Sequence, residues 1–169
     1  QAAQRAARKK EFRKVLELTD MALQHEPSLS SLELEGLAAH LSAIRALRGR
    51  ALYLNDDLEA ARVLLAQVLE EKSLAENSPL WVAASVDLAA SHMAKGDFAK
   101  SHALLEPLLA RIEPGSPERL RSMRISAQCM RLEGQLERSV DRWREGLGVA
   151  RDFRSKEQEA AFLLGLAKA

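Results

Sequence analysis

Apolar residues recur along this chain at helical spacing, and the recurrence itself repeats. Leu58, Ala61, Leu65, Val68 and Leu69 fall on one face of a helix, as do Phe98, Ser101, Leu105, Leu108 and Leu109. A third copy runs through Leu136, Ser139, Trp143 and Leu147. The pairs Asp57-Leu58, Asp97-Phe98 and Gln135-Leu136 open the three copies at near-uniform steps, 98 − 58 = 40 and 136 − 98 = 38. Self-similarity at a period of about 20–50 residues marks a repeat array, in which one hairpin cannot cover its own apolar stripe and stacking on the next supplies the core.

The polar punctuation sets the ends of the helices. Asn55, Gly96 and Gly134 each close one helical pattern and precede another, as expected where the chain turns left-handed at a helix end. Asp56 with Glu59 and Ser155 with Gln158 have capping-box spacing, Asp97 is a good N-cap, and Ser78-Pro79 and Ser116-Pro117 place a cap residue before a proline suited to the first helical position. These signals predict helices near 1–9, 11–25, 29–54, 56–72, 79–95, 97–112, 117–133, 136–151 and 156–169, with a break near Gly36 inside the unusually long third span. Small residues at Gly49, Ala89, Ala127 and Gly165, separated by 40, 38 and 38, are expected to let facing helices approach closely.

Composition narrows the class. Eight glycines and five prolines in 169 residues, with alanine, leucine, arginine and glutamate abundant, favour long helices over sheet. Twenty-five Lys and Arg against 24 Asp and Glu leave a formal charge of +1, which gives no global drive toward nucleic acid or an acidic membrane, so any electrostatic function must be local. The single cysteine, Cys129, rules out an internal disulfide and fits a reducing, cytoplasmic setting. Uncharged stretches such as 77–86 fall short of the roughly 18–20 apolar residues that span a bilayer. The chain opens at Gln1 already in helix-like sequence and closes in another amphipathic pattern, which reads as a piece of a longer protein.

The small residue late in the first helix, the Gly96-Asp97-Phe98 turn, Ser101 and then Leu105 resemble the tetratricopeptide repeat family. Asp56-Asp57-Leu58 is a second copy, Phe12 with Ala22 and Pro27 suggests a first repeat, and Leu164-Gly165 opens a last one. The resemblance implies an all-α fold, a right-handed α-α superhelix built as a solenoid of antiparallel helix hairpins. It implies a single helical repeat domain over 1–169, with repeats near 1–28, 29–76, 77–115 and 116–154 and a partial one at 155–169. The family's basic period is about 34 residues. Longer steps, with an ending like Gly148-Val149-Ala150-Arg151-Asp152-Phe153, are similar to the variety found in bacterial signalling and regulatory proteins, which implies a sensory or docking region.

Candidate chemistry is sparse and points to binding. Arg121, Arg124, Gln128 and Arg131, spaced three, four and three apart, lie along one side of a single helix, beside an expected core stripe of Leu120, Met123, Ala127 and Met130. The family resemblance implies that this polar stripe lines a concave groove, together with Arg50, Tyr53 and Met93. Guanidinium forks match paired carboxylate or phosphate oxygens, so an acidic protein or peptide segment is the expected partner, against the alternative of a plain solvated helix face. Trp143 takes the place of Leu65 and Leu105 and is expected in the core, whereas Trp81 lies outside the recurring set and suits either a partner contact or a cover for its neighbours. His25, His40, His92 and His102 include no pair at helical i,i+4 spacing, Cys129 sits among Ala127, Met130 and Leu132, and there is no glycine-rich phosphate loop. Neither a metal, a cofactor nor an enzymatic activity is expected. Two other roles remain open: self-association through apolar helices at residues 1–9 and 157–169, and sensing of a small molecule or signal peptide in the groove.

Overall fold

A computed structural model of the chain describes residues 2–30, 36–72 and 74–169. Among them nine helices follow one another: α1 (Ala2–Gln24), α2 (Glu26–Ser30), α3 (Leu37–Leu54), α4 (Leu58–Glu70), α5 (Pro79–Lys95), α6 (Phe98–Arg111), α7 (Pro117–Leu132), α8 (Leu136–Asp152) and α9 (Lys156–Leu166). No strand occurs among the described residues. The chain divides into two compact units, Gln1–Ser91 and His92–Ala169, with the boundary near the end of α5.

One turn geometry ends four of these helices. Gly134 has a positive φ of 80°, its N–H donates to the Arg131 carbonyl at 3.1 Å, and the Gln135 N–H reaches back to Met130 at 2.8 Å. This paired return satisfies carbonyls that a helix end otherwise leaves without partners. The same closure forms at Gly96, with Gly96 to Met93 and Asp97 to His92, and at Asp56, with Asp56 to Tyr53 and Asp57 to Leu52. Arg154 repeats it after α8. At the first hairpin the left-handed residue is therefore Asp56, at φ 72°, and not Asn55, which sits at φ −95° as the C-cap. The cap moves with it: Asp57, not Asp56, accepts the Ala60 N–H at 3.3 Å to start α4.

Other local expectations hold or shift for visible reasons. Ser116 accepts from Arg119 N–H to start α7 with Pro117 behind it, and Ser78 accepts from Trp81 N–H at the start of α5. Asp97 and Ser155 occupy N-cap positions without a side-chain cap bond; the Asp97 carboxylate instead lies 3.4 Å from His92 Nδ1. The two helices predicted over 1–9 and 11–25 are one, α1, because no glycine or proline interrupts residues 2–24. The span 29–54 is interrupted as expected at Gly36, φ 75°, and α3 begins after it; residues 31–35 of that span lie outside the described residues.

In the first unit, α1 packs along α3, α2 touches both, and α3 pairs with α4. Arg48 of α3 ties down α1, donating to the Leu16 carbonyl at 3.2 Å and pairing with Asp20 at 2.6 Å. Arg45, also on α3, is salt-bridged to Glu26 of α2. The buried face of α4 is Ala61, Leu65 and Val68, and full burial of a side chain such as Leu65 stabilises by about 2–3 kcal/mol. Thr19 follows Phe12 by seven residues as Leu65 follows Leu58, and it too is buried, its hydroxyl donating to the Val15 carbonyl.

The second unit builds its core from α6 to α9. Leu109, Leu120, Met123, Ala127, Trp143, Leu147, Ala150 and Phe162 form one cluster. Trp143 meets Phe162 edge to face, with ring centroids 5.7 Å apart. Two glycines give these rings room: a Cβ on Gly146 would lie 2.1 Å from the Phe162 ring, and one on Gly165 would lie 2.4 Å from Trp143. The expected set of matched small residues therefore divides in two. Gly49 faces Leu65 of its own hairpin, 2.6 Å from where its Cβ would stand, whereas Gly165 faces Trp143 of the helix before it.

Candidate functional site

The site is built on α7, whose neighbours occupy most of its circumference. Toward α8, the Ala127 carbonyl accepts the Ser139 hydroxyl at 2.8 Å. Toward α6, the Cys129 thiol lies 3.4 Å from the Ser101 hydroxyl, and Arg119 donates to the carbonyls of Leu109 and Ile112 at the end of that helix. Leu120, Ser122, Met123, Ile125, Ser126, Ala127, Cys129 and Met130 are all buried. Between the second and last turns of α7, the side chains left partly open are Arg121, Arg124, Gln128 and Arg131, each half-buried. They share one narrow arc of the helix, since positions three and four apart stack on a single face.

The first turn of α9 stands beside this arc. Gln158 Oε1 accepts from an Arg124 guanidinium nitrogen at 3.4 Å. The adjacent Glu159 is held by Arg151 Nε and Lys156 Nζ, each at 3.0 Å, and these two bonds keep its carboxyl below the usual glutamate range. Of the other residues expected on the groove, Met93 belongs to the second unit and is half-buried, whereas Arg50, exposed, and Tyr53, half-buried, lie on α3 in the first unit. Ala84 to Ser91 on α5 are all buried, including Asp87 at 3% exposure, a charged residue that sequence patterning assigned to no core. Trp81 is half-buried and Trp143 is buried with its indole N–H unbonded.

The cysteine of the chain is buried in the packing of α7. Burial is the largest influence on Cys129 and pushes its thiol up, which suppresses the thiolate needed for nucleophilic chemistry. Among the described residues no group of three or more His, Cys, Asp or Glu is arranged to hold a metal ion, and no helix is long and apolar enough to cross a membrane. A cavity of about 440 Å³ lies elsewhere, over Met130, walled by Arg138, Asp141, Arg142 and Glu145. Its walls alternate in sign along one face of α8 and pair locally, Arg142 with Glu145 at 3.6 Å.

Comparison with known proteins finds no matching family model and no matching curated protein. Two crystal structures match in fold, both of nearly identical TPR-like repeats from a Podosopora anserina putative kinesin light chain, one of them a point variant. The variant aligns with a TM-score of 0.71 at 21% identity, covering 99% of this chain and 83% of that one. The other aligns at 0.66 and 20% identity, covering 99% and 86%. The chain thus has an all-α fold of the TPR-like helical-repeat solenoid class, made of antiparallel helix hairpins.

Proposed function

We propose that this chain is a non-enzymatic scaffold that captures an acidic protein or peptide segment along α7. The carrying observation is that from Leu120 to Arg131 the residues of α7 are buried except Arg121, Arg124, Gln128 and Arg131, which are half-buried on one face. A solvated helix face on a surface helix ordinarily mixes both signs. Here three cations and a carboxamide stand together, and Glu118, three residues before Arg121, is the one acidic residue of α7. Half-burial strengthens their pull on an anion relative to fully hydrated charges. Arg50 and Tyr53 on α3 and Met93 on α5 are further contact candidates within their own units.

The setting we infer is the sensory or docking region of a bacterial signalling protein in the cytoplasm. Steps of 38 and 40 residues and the 148–153 ending support it, as does a lone buried thiol. The test uses a fluorescein-labelled dodecapeptide of alternating glutamate and alanine. Arg124→Glu and Arg131→Glu should each weaken binding about tenfold or more while the far-ultraviolet circular dichroism spectrum stays that of the parent. Unchanged affinity in both variants removes the reading.

Self-association is a second reading, favoured by Leu163 and Leu164, exposed at 45% and 62% on α9. Light scattering across a hundredfold concentration range decides it, a constant monomer mass being the contrary result.

A further inference from the structure

We propose that the outer face of α9 docks on the outer face of α1 of a second copy, so that the chain associates head to tail; this deepens the self-association reading above and rests on it. Within its own unit α1 is held to α3 through the Leu16 carbonyl and Asp20. The side of α1 turned away from buried Thr19 carries Lys10, Lys14, Leu18 and Met21, all exposed, the two apolar ones at 55% and 60%. On α9, Phe162 and Gly165 are buried against α8, and the opposite side carries Glu157, Ala160, Leu164 and Ala167, again all exposed. Steps of four, four and three on α1 and of three, four and three on α9 keep each set on one narrow face.

The two faces match in spacing and in charge. Lys14 precedes Met21 by seven residues, as Glu157 precedes Leu164. Seven residues make two helical turns, so parallel helices that join Met21 to Leu164 also bring Lys14 to Glu157. The same register sets Leu18 beside Ala161 and Glu17 beside Ala160, so the acidic neighbour of the α1 stripe meets no like charge. An antiparallel pairing about the same apolar contact would separate Lys14 from Glu157 by about 21 Å. Neither residue holds an ion pair among the described residues, so both charges are available. Pairing α1 with α1, or α9 with α9, in the parallel sense would oppose lysine to lysine or glutamate to glutamate, which disfavours it. The complement of each face is the other helix on another copy, a heterologous contact. It extends between copies the stacking by which a repeat array covers its apolar stripes.

Sedimentation equilibrium of the full chain tests the contact, with all substitutions at exposed positions and each variant checked for the parent melting temperature. The parent mass should rise with concentration. Lys14→Glu and Glu157→Lys should each weaken association about tenfold or more, and an equimolar mixture of the two should recover the parent behaviour, because each restores the opposite pair for the other. Met21→Glu blocks only the α1 face and Leu164→Glu only the α9 face. Alone each should stay monomeric; mixed, they should form a dimer and nothing larger, since one intact joint remains. A constant monomer mass for the parent overturns both this contact and the self-association reading. Association that is lost in Leu164→Glu but indifferent to Lys14→Glu and Met21→Glu overturns the α1 contact and leaves self-association through α9 standing. A mixture of Met21→Glu and Leu164→Glu that remains monomeric also overturns the head-to-tail contact.

Discussion

At the scale of single residues, the turn geometry separates positions that look interchangeable. Asp56, Gly96, Gly134 and Arg154 fill one left-handed slot at successive helix ends, and Asp56 and Arg154 carry a Cβ there. Left-handed backbone costs a non-glycine residue roughly 1–2 kcal/mol, somewhat less for aspartate. Since Asp57 and not Asp56 caps α4, Asp56→Gly should stabilise the protein by about 0.5–1 kcal/mol in urea unfolding. The two glycines of α8 should respond with opposite signs. Gly148 has nothing within 4 Å of a built Cβ, so Gly148→Ala should gain about 0.5–1 kcal/mol of helix propensity. Gly146→Ala would press on the Phe162 ring and should cost about 1–3 kcal/mol, the clash exceeding the propensity gain. A fold in which both alanines stabilise equally would contradict the α8–α9 packing.

Cys129 gives a residue-scale prediction in pH. Its thiol is raised in the folded state by burial, so the unfolded chain releases that proton first as pH climbs. Stability linked to this group is intact below the unfolded thiol value and falls as pH rises above about 8.5–9. Ellman's reagent at pH 8 should find almost no reactive thiol in the native protein and one per chain in guanidinium. Ready modification of the native protein would show that α6 does not cover Cys129.

At the scale of helices, α7 and α9 differ in how much of them the sequence discloses. The stripe on α7 is legible because 121, 124, 128 and 131 obey helical spacing within one uninterrupted segment. Its half-burial is not, because that depends on α6 and α8, whose contacts through Ser101 and Ser139 come from other parts of the chain. The role of α9 is less legible still. Its start carries a capping-box spacing that forms no side-chain cap, and instead Glu159 turns to Arg151 and Lys156. The carboxyl of Glu159 is lowered in the folded state, so its stabilising contribution is present above the ordinary glutamate range and is lost as pH falls through the lower folded value. Acid titration followed by NMR should therefore find the Glu159 carboxyl protonating below the ordinary glutamate range, and Arg151→Ala should bring it back toward that range.

At the scale of the molecule, the repeat is the organising fact. Two units with a common hairpin plan arise from one phrase repeated at 40 and 38 residues. A formal charge of +1 provides little long-range steering, so an acidic ligand should associate at an ordinary rate of about 10⁵–10⁷ M⁻¹s⁻¹. Salt should act through the α7 arc alone. Raising ionic strength should weaken the glutamate peptide in the parent protein, and Arg124→Glu should flatten that dependence; an unaltered salt slope would place the contact elsewhere.

Sequence by itself determined the helices, the left-handed turns and the repeat, because helical periodicity, caps and glycine geometry are encoded within a few neighbouring residues. It misplaced Asn55 by one position and divided α1 because such local signals fix an element's existence better than its ends. Only tertiary structure decided that Gly165 meets Trp143 while Gly49 meets Leu65, that Asp87 is buried, and that the polar stripe of α7 is half-buried. Those outcomes depend on which helix lies against which, and helical spacing along the chain carries no information about the neighbour across the gap.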